Sequence, residues 1–177
     1  MIPIVQSNDP VLRECAQTIP TKEINSEKIQ KIIADMKIAL ASQDDGVAIA
    51  APQIGEALRV FLVSDEIMKK ADETYKSIGK DLIFINPKIT KLSKDKVEAE
   101  EGCLSVRWKY GKVIRSVKAT VKGYNELGEK VERGASGLLA QVFQHECEHL
   151  DGILFIDKAF DVKDMPPENE PGYENKL

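Results

Sequence analysis

Apolar and polar positions change their period along the chain, and each change marks an element. Asn8-Asp9-Pro10 reads as a turn opening a short helix, with Pro10 near its first position and Leu12 as its anchor. From Asn25 or Ser26 onward, Ile29, Ile32, Ile33, Met36 and Leu40 recur at helical spacing, and Lys28, Lys31, Asp35 and Lys37 fill most of the other face. This predicts an amphipathic helix ending near Gln43–Gly46. Arg59–Val63 and Leu82–Ile85 are short apolar runs of strand length, the second stopped by Asn86-Pro87. The polar stretch 64–81 between them reads as a surface excursion. Val113–Tyr124 reads as one alternating strand, with Val113, Val117, Ala119 and Val121 inward. The polar Arg115, Lys118, Thr120 and Lys122 are read as the outward set. A turn over Tyr124–Gly128 and a return through Lys130–Glu132 complete a hairpin. A last helix is predicted over Ser136–Leu150, with Ser136 as N-cap and Gly152 as the stop. Ile153–Ile156 then reads as a strand. Strands and helices do not alternate regularly, which predicts an α+β fold. The expectation is one catalytic domain over residues 1–163 and a loose polar, proline-rich tail over 164–177.

Composition narrows the picture. The 177 residues suit one domain that buries enough surface to fold without disulfides or metal. With 25 basic and 29 acidic side chains the net charge is −4, which argues against a broad basic face for nucleic acid or anionic lipid. No run approaches the roughly 18 apolar residues of a membrane helix. The opening Met1–Val5 does not read as a leader. Three cysteines, Cys15, Cys103 and Cys147, make a poor disulfide framework, so a reducing, cytoplasmic setting is the simpler reading. Cys15 is read as a small core residue in a helical stretch.

The chain has two histidines, and both fall in His145-Glu146-Cys147-Glu148-His149, an H-E-x-x-H pattern. At about 100° per residue the two rings share one helix face, one turn apart, and can converge on one ion. Leu138 and Val142 lie on that same face, so the ligating face is also the apolar one. Glu146 sits at its shoulder, within reach of a water on the ion, while Cys147 points nearly the opposite way. Catalytic single-metal sites usually have three protein ligands and an open position. The long metzincin pattern fails here because Phe155 stands where its third histidine should be. Glu168 is spaced for a downstream ligand but sits among prolines. Cys103, in Glu101-Gly102-Cys103-Leu104-Ser105 between strand-like segments, is the best third candidate. Small mixed or antiparallel strands packed around a central metal-binding helix are therefore expected.

Three motifs now stand in order: Gly46-Val47-Ala48-Ile49-Ala50-Ala51-Pro52-Gln53, Glu101-Gly102-Cys103-Leu104-Ser105 and Gln144-His145-Glu146-Cys147-Glu148-His149-Leu150. Together they resemble the G-x-G-x-A-A-x-Q, E-G-C-L-S and Q-H-E-x-D-H-L motifs of peptide deformylases. The resemblance implies removal of the formyl group from the N-terminal formylmethionine of nascent peptides, with release of formate. It implies Cys103, His145 and His149 as ligands of one divalent ion. Iron(II) is the implied ion in the cell, with zinc, nickel or cobalt able to fill the site in a purified sample. It implies Glu146 as general base and acid, and the Gln53 side-chain amide with the Leu104 backbone N–H as oxyanion donors. Gly46, Val47, Ala48 and Glu101 match peptide-binding positions, and Leu138 and Val142 would line a methionine pocket.

The chain also departs from these motifs. Ala48 replaces a glycine, Glu148 replaces an aspartate, and Arg107 stands where proline is common. The acidic tail does not resemble the basic helix by which some bacterial members dock on the ribosome, so ribosome association is not expected from it. Three alternatives stay open on sequence alone: another zincin-type amidase or peptidase, a metal-binding module without catalysis, and a family member with a changed substrate.

Overall fold

The computed structural model describes residues 2–167. Helix α1 spans Glu27–Ala41. The Ser26 hydroxyl caps it by accepting from the Ile29 N–H, and Ile29, Ile32, Ile33, Met36, Ala39 and Leu40 form its buried stripe. Pro10–Arg13 is a single 3-10 turn, capped by Asp9 and anchored by a fully buried Leu12. Cys15 is not a helical core residue: the backbone is already extended at Glu14, so Ala16 turns inward and Cys15 is exposed.

Among the described residues, eight strands form two antiparallel sheets. The larger carries, in spatial order, β1 (Ala48–Ala50), β2 (Val60–Val63), β3 (Leu82–Leu92), β6 (Lys118–Tyr124) and β7 (Lys130–Ser136). The smaller carries β4 (Lys96–Gly102), β5 (Lys109–Ser116) and β8 (Phe160–Asp164). β1 and β4 are edge strands, and both border one cavity. Helix α3 (Gly137–Leu150) lies against β1, β2, β3, β6 and β7 of the larger sheet and β5 of the smaller. This is the α+β fold expected from the sequence. Beneath α3, Phe143 packs edge-on against Phe84 of β3 at 5.3 Å between centroids, and Phe84 stacks on Phe61 of β2 at 5.1 Å.

Val113–Tyr124 is not one strand. It breaks at Val117, with β5 and β6 in different sheets. The apolar alternation runs through the break because both halves face α3. Gln144 of α3 holds the corner: its amide accepts from the Ser116 N–H at 3.0 Å and donates to the Ser116 carbonyl at 2.9 Å. Arg115 shares the parity of Val113 and turns inward, contrary to its expected outward place. Ile153–Ile156 is not a strand either; Phe155–Asp157 forms a 3-10 turn, and the strand comes later, at β8. The tail reading from residue 168 onward lies outside the described residues.

α3 begins after Ser136 as expected, but the Ser136 hydroxyl makes no capping bond. The Asp72 carboxylate lies close to this end of the helix, beside Gly137. The helix does end at Gly152, whose φ of 74° no side chain adopts cheaply. A Cβ there would also lie 2.6 Å from the Arg13 carbonyl oxygen.

The stretch 64–81 is more than a surface excursion. It carries helix α2 (Asp65–Ala71), whose Met68 is fully buried, and Asp65 organises the loop after it. The Asp65 carboxylate accepts from Tyr75 Oη at 3.0 Å and Ser77 Oγ at 2.8 Å, and pairs with Lys69 Nζ at 2.7 Å. Desolvation pushes this carboxyl up, but the bonds from Lys69, Ser77 and Tyr75 together prevail and hold it at about 2 instead of 3.8. A carboxyl depressed in the folded state binds fewer protons there than in the unfolded chain. Its stabilisation is therefore complete above about pH 4 and is lost as pH falls toward 2. Asp65→Asn is expected to lower Tm by a few degrees at pH 7, and the gap from the parent should narrow below about pH 4 in a pH series of thermal melts.

Candidate active site

α3 presents His145 and His149 on one face, with ring centroids 4.9 Å apart. Cys103 follows the end of β4 and meets them. One atom each from Cys103, His145 and His149 lies within 4.8 Å of the other two, and Cys103 Sγ is 3.2 Å from His149 Nε2. Among the described residues this is the one cluster of three or more His, Cys, Asp or Glu groups so arranged. Glu168 lies outside the described residues. Cys147 is buried on the opposite face, where desolvation pushes its thiol up to about 12 and leaves it inert.

The second ring nitrogen of His145 shows which tautomer is held. Nδ1 lies 2.9 Å from Glu101 Oε2. A carboxylate can only accept, so Nδ1 carries the hydrogen and the Nε2 lone pair is left for the cluster. Glu101 is held in turn by Arg115, whose Nε and Nη2 donate to its two oxygens at 2.7 and 2.8 Å. The third guanidinium nitrogen, Nη1, donates to Glu148 Oε1 at 2.7 Å, and Lys158 donates to that same oxygen. Burial raises the Glu101 carboxyl, but the Arg115 and His145 bonds prevail and bring it down to about 2. The Glu101 side chain is thus committed to His145 and Arg115.

Burial opposes charge on both imidazoles. Against it, bonds to Cys103 and Glu101 hold His145 well above the usual imidazole range. Burial and the neighbouring His145 together hold His149 well below that range. The environment therefore stabilises one positive charge at the cluster. A divalent cation bound by the thiolate and two neutral rings satisfies the same demand, and the three residues fit such an ion.

Glu146 is 4% exposed, and its Oε2 has no hydrogen-bond partner among the described residues. Burial, opposed by His145 and aided by Glu101, raises its carboxyl to about 7. Gln53 sits in the 3-10 turn Ala51–Ile54, 2% exposed. Its Oε1 accepts from the Ala50 N–H at 2.8 Å, which turns the NH₂ toward Cys103 Sγ at 3.6 Å and Ser105 Oγ at 3.3 Å. The Leu104 N–H donates to no group among the described residues.

These groups open on a cavity of about 280 Å³ lined by Gly46, Val47, Ala48, Leu138 and Val142 among others. Gly46 and Gly102 are there for space. A Cβ on Gly102 would meet the Tyr110 ring at 2.6 Å, and one on Gly46 would meet Leu40 at 2.7 Å. Arg107, at the rim, is forked onto Asp45 and stacks over Trp108 at 4.4 Å. Sequence reasoning missed Arg115 and Asp45. For Arg115 a signal existed: a charged residue at an inward strand position.

Fold and site together define a small α+β protein in which one cysteine and two histidines could hold a metal ion. The family model for polypeptide deformylase matches residues 1–165. A peptide deformylase of Carboxydothermus hydrogenoformans is 41% identical over 160 residues, 90% of this chain and 93% of that protein. Peptide deformylase 1A, chloroplastic/mitochondrial, of Arabidopsis thaliana is 40% identical over 88% of this chain, which spans only 60% of the plant protein. The crystal structure of the Thermotoga maritima peptide deformylase superposes with a TM-score of 0.77 at 34% identity, covering 90% of this chain and 98% of that one. A class I type b peptide deformylase from Acinetobacter baumannii with Met-Ala-Ser bound superposes at 0.78 and 30% identity, covering 89% and 97%. The chain belongs to the polypeptide deformylase family.

Arg115 is 3% exposed and pairs with two carboxylates. Arg115→Met leaves buried Glu101 with His145 as its one remaining charged partner, at an expected cost of about 3–5 kcal/mol. Urea denaturation of metal-stripped protein checks this.

Proposed function

We propose that this chain removes the formyl group from N-terminal formylmethionine of nascent peptides. The observation that carries the reading is the meeting of Cys103, His145 and His149 beside a buried Glu146 with a partnerless oxygen. Cys103 Sγ and one nitrogen each of His145 and His149 would hold one divalent ion. Bound there, the ion polarises the formyl carbonyl and acidifies a water. Iron(II) is the cellular ion in this reading, and a thiolate with two imidazoles also accepts zinc, nickel or cobalt.

Glu146 takes a proton from the water as its oxygen bonds to the formyl carbon. It then gives a proton to the leaving amine as the C–N bond breaks, and formate departs. Its raised carboxyl suits both halves of that exchange. The Gln53 NH₂ and the Leu104 N–H donate to the oxygen on which charge develops. Gln53 is suited because its amide is fixed from behind by Ala50. Leu138 and Val142 give the methionine side chain an apolar wall. The peptide backbone runs along the open edges of β1 and β4, an added strand between two sheets. The Acinetobacter relative was solved with Met-Ala-Ser bound, which supports a short peptide as the ligand. The compartment we infer is cytoplasmic; among the described residues no helix is long and apolar enough to cross a membrane.

Formate release from formyl-Met-Ala-Ser by anaerobically prepared protein, with metal analysis of the same sample, tests the reading. Turnover of acetyl-Met-Ala-Ser in preference would overturn it. Glu146→Gln is expected to retain the metal and lose at least about 10²–10⁴-fold in kcat. Cys103→Ala should lose tight metal binding altogether; an unchanged metal content would favour a different ligand set. Gln53→Ala should cost about 10²–10³-fold in kcat.

A further inference from the structure

We propose that Gln6 is a positioning residue for this reaction, holding the Leu104 N–H in place while its neighbour Val5 holds Gln53. The proposal rests on the deformylase reading above. The Val5 N–H donates to the Gln53 carbonyl at 2.9 Å. One residue on, Gln6 Nε2 donates to the Leu104 carbonyl at 3.1 Å, and Gln6 Oε1 accepts from the Arg107 N–H at 3.4 Å. Two consecutive residues of the N-terminal segment thus bond to the backbone carbonyls of both residues whose donors are assigned to the oxyanion.

The geometry gives Gln6 a specific task. The turn after β4 is closed by the Val106 N–H donating to the Cys103 carbonyl at 3.0 Å, which fixes the peptide plane carrying the Leu104 N–H. The next plane, carrying the Leu104 carbonyl, is held by Gln6. With both flanking planes bonded, the direction of the Leu104 N–H is set. The Gln6 amide behaves here like one residue of an added strand, donor to Leu104 and acceptor from Arg107. Its own backbone is anchored, because Ile2 and Ile4 pack on the α1 core and Val5 on the cluster around Leu12 and Phe155. Gln6 itself is exposed, so shortening it removes these bonds and little packing.

A donor aimed at developing charge acts in the transition state and not on the bound substrate, so its misplacement lowers kcat and spares KM. The test compares the metal-loaded parent, Gln6→Ala, Gln6→Glu and the neighbouring control Ser7→Ala. Readouts are kcat and KM on formyl-Met-Ala-Ser, Tm, and amide hydrogen exchange. Gln6→Ala should lower kcat about 3–10-fold, the worth of one neutral hydrogen bond, with KM unchanged within about twofold. Exchange at residues 104–107 should quicken while that of α3 stays the same, and Tm should hold within about 2 °C. Gln6→Glu keeps the acceptor for Arg107 but loses the donor to Leu104, and should fall at least as far. Ser7→Ala should match the parent. Unchanged kcat and exchange in Gln6→Ala overturn the proposal, as does a fall in Tm with KM rising in step. A parent inactive on formyl-Met-Ala-Ser would sink the deformylase reading instead, an outcome separate from either.

Discussion

The Arg115 guanidinium is almost wholly removed from water, and the cysteine–histidine cluster depends on how its charge is matched. An isolated buried ion costs several kcal/mol, so the group has to be paired. Glu101 and Glu148 supply two negative charges, and Arg115 and Lys158 two positive ones, a balanced set. The planar fork also fixes the Glu101 carboxylate in orientation, and that carboxylate fixes the tautomer of His145. A strand of one sheet thereby sets the direction of a lone pair on the helix. Glu148, where the family motif has aspartate, reaches Arg115 and Lys158 through one oxygen, Oε1.

Helix α3 can serve two sheets because its ligating face and its packing faces are different arcs of one short cylinder. Phe143 goes into the aromatic cluster of the larger sheet, Gln144 clamps the corner where the chain leaves the smaller one, and His145 turns to the cavity. Three consecutive residues thus fix the helix against both layers, and the ligand pair inherits that rigidity.

Much of this was legible from residue types alone. Helix α1 and its cap, the β6–β7 hairpin, the extent of α3 and the face shared by His145, His149, Leu138 and Val142 follow from period and capping chemistry. The failures share one cause: tertiary partners that a local pattern does not name. The break at Val117 is invisible to alternation because both strands bury the same parity against one helix. Helix α2 is short and polar, and its order comes from the bonds gathered by Asp65. The start of α3 has no capping bond from the adjacent Ser136, and the carboxylate near it is Asp72, far upstream. Glu101 was placed at the site through its motif, yet its partner Arg115 was read as solvent-facing, since strand chemistry rarely buries a guanidinium.

The unpaired borders of β1 and β4 lie recessed in the cavity wall, and this bears on how the molecule meets other chains. An open sheet margin is a template for self-association. Where Ala48 of β1 and Glu100–Gly102 of β4 line a hollow of about 280 Å³, they are hard to reach for another folded copy, whose margins come attached to bulky layers. What fits is a slender, unstructured chain end. The same recess that discourages aggregation would thus sort free termini from the interior segments of finished proteins.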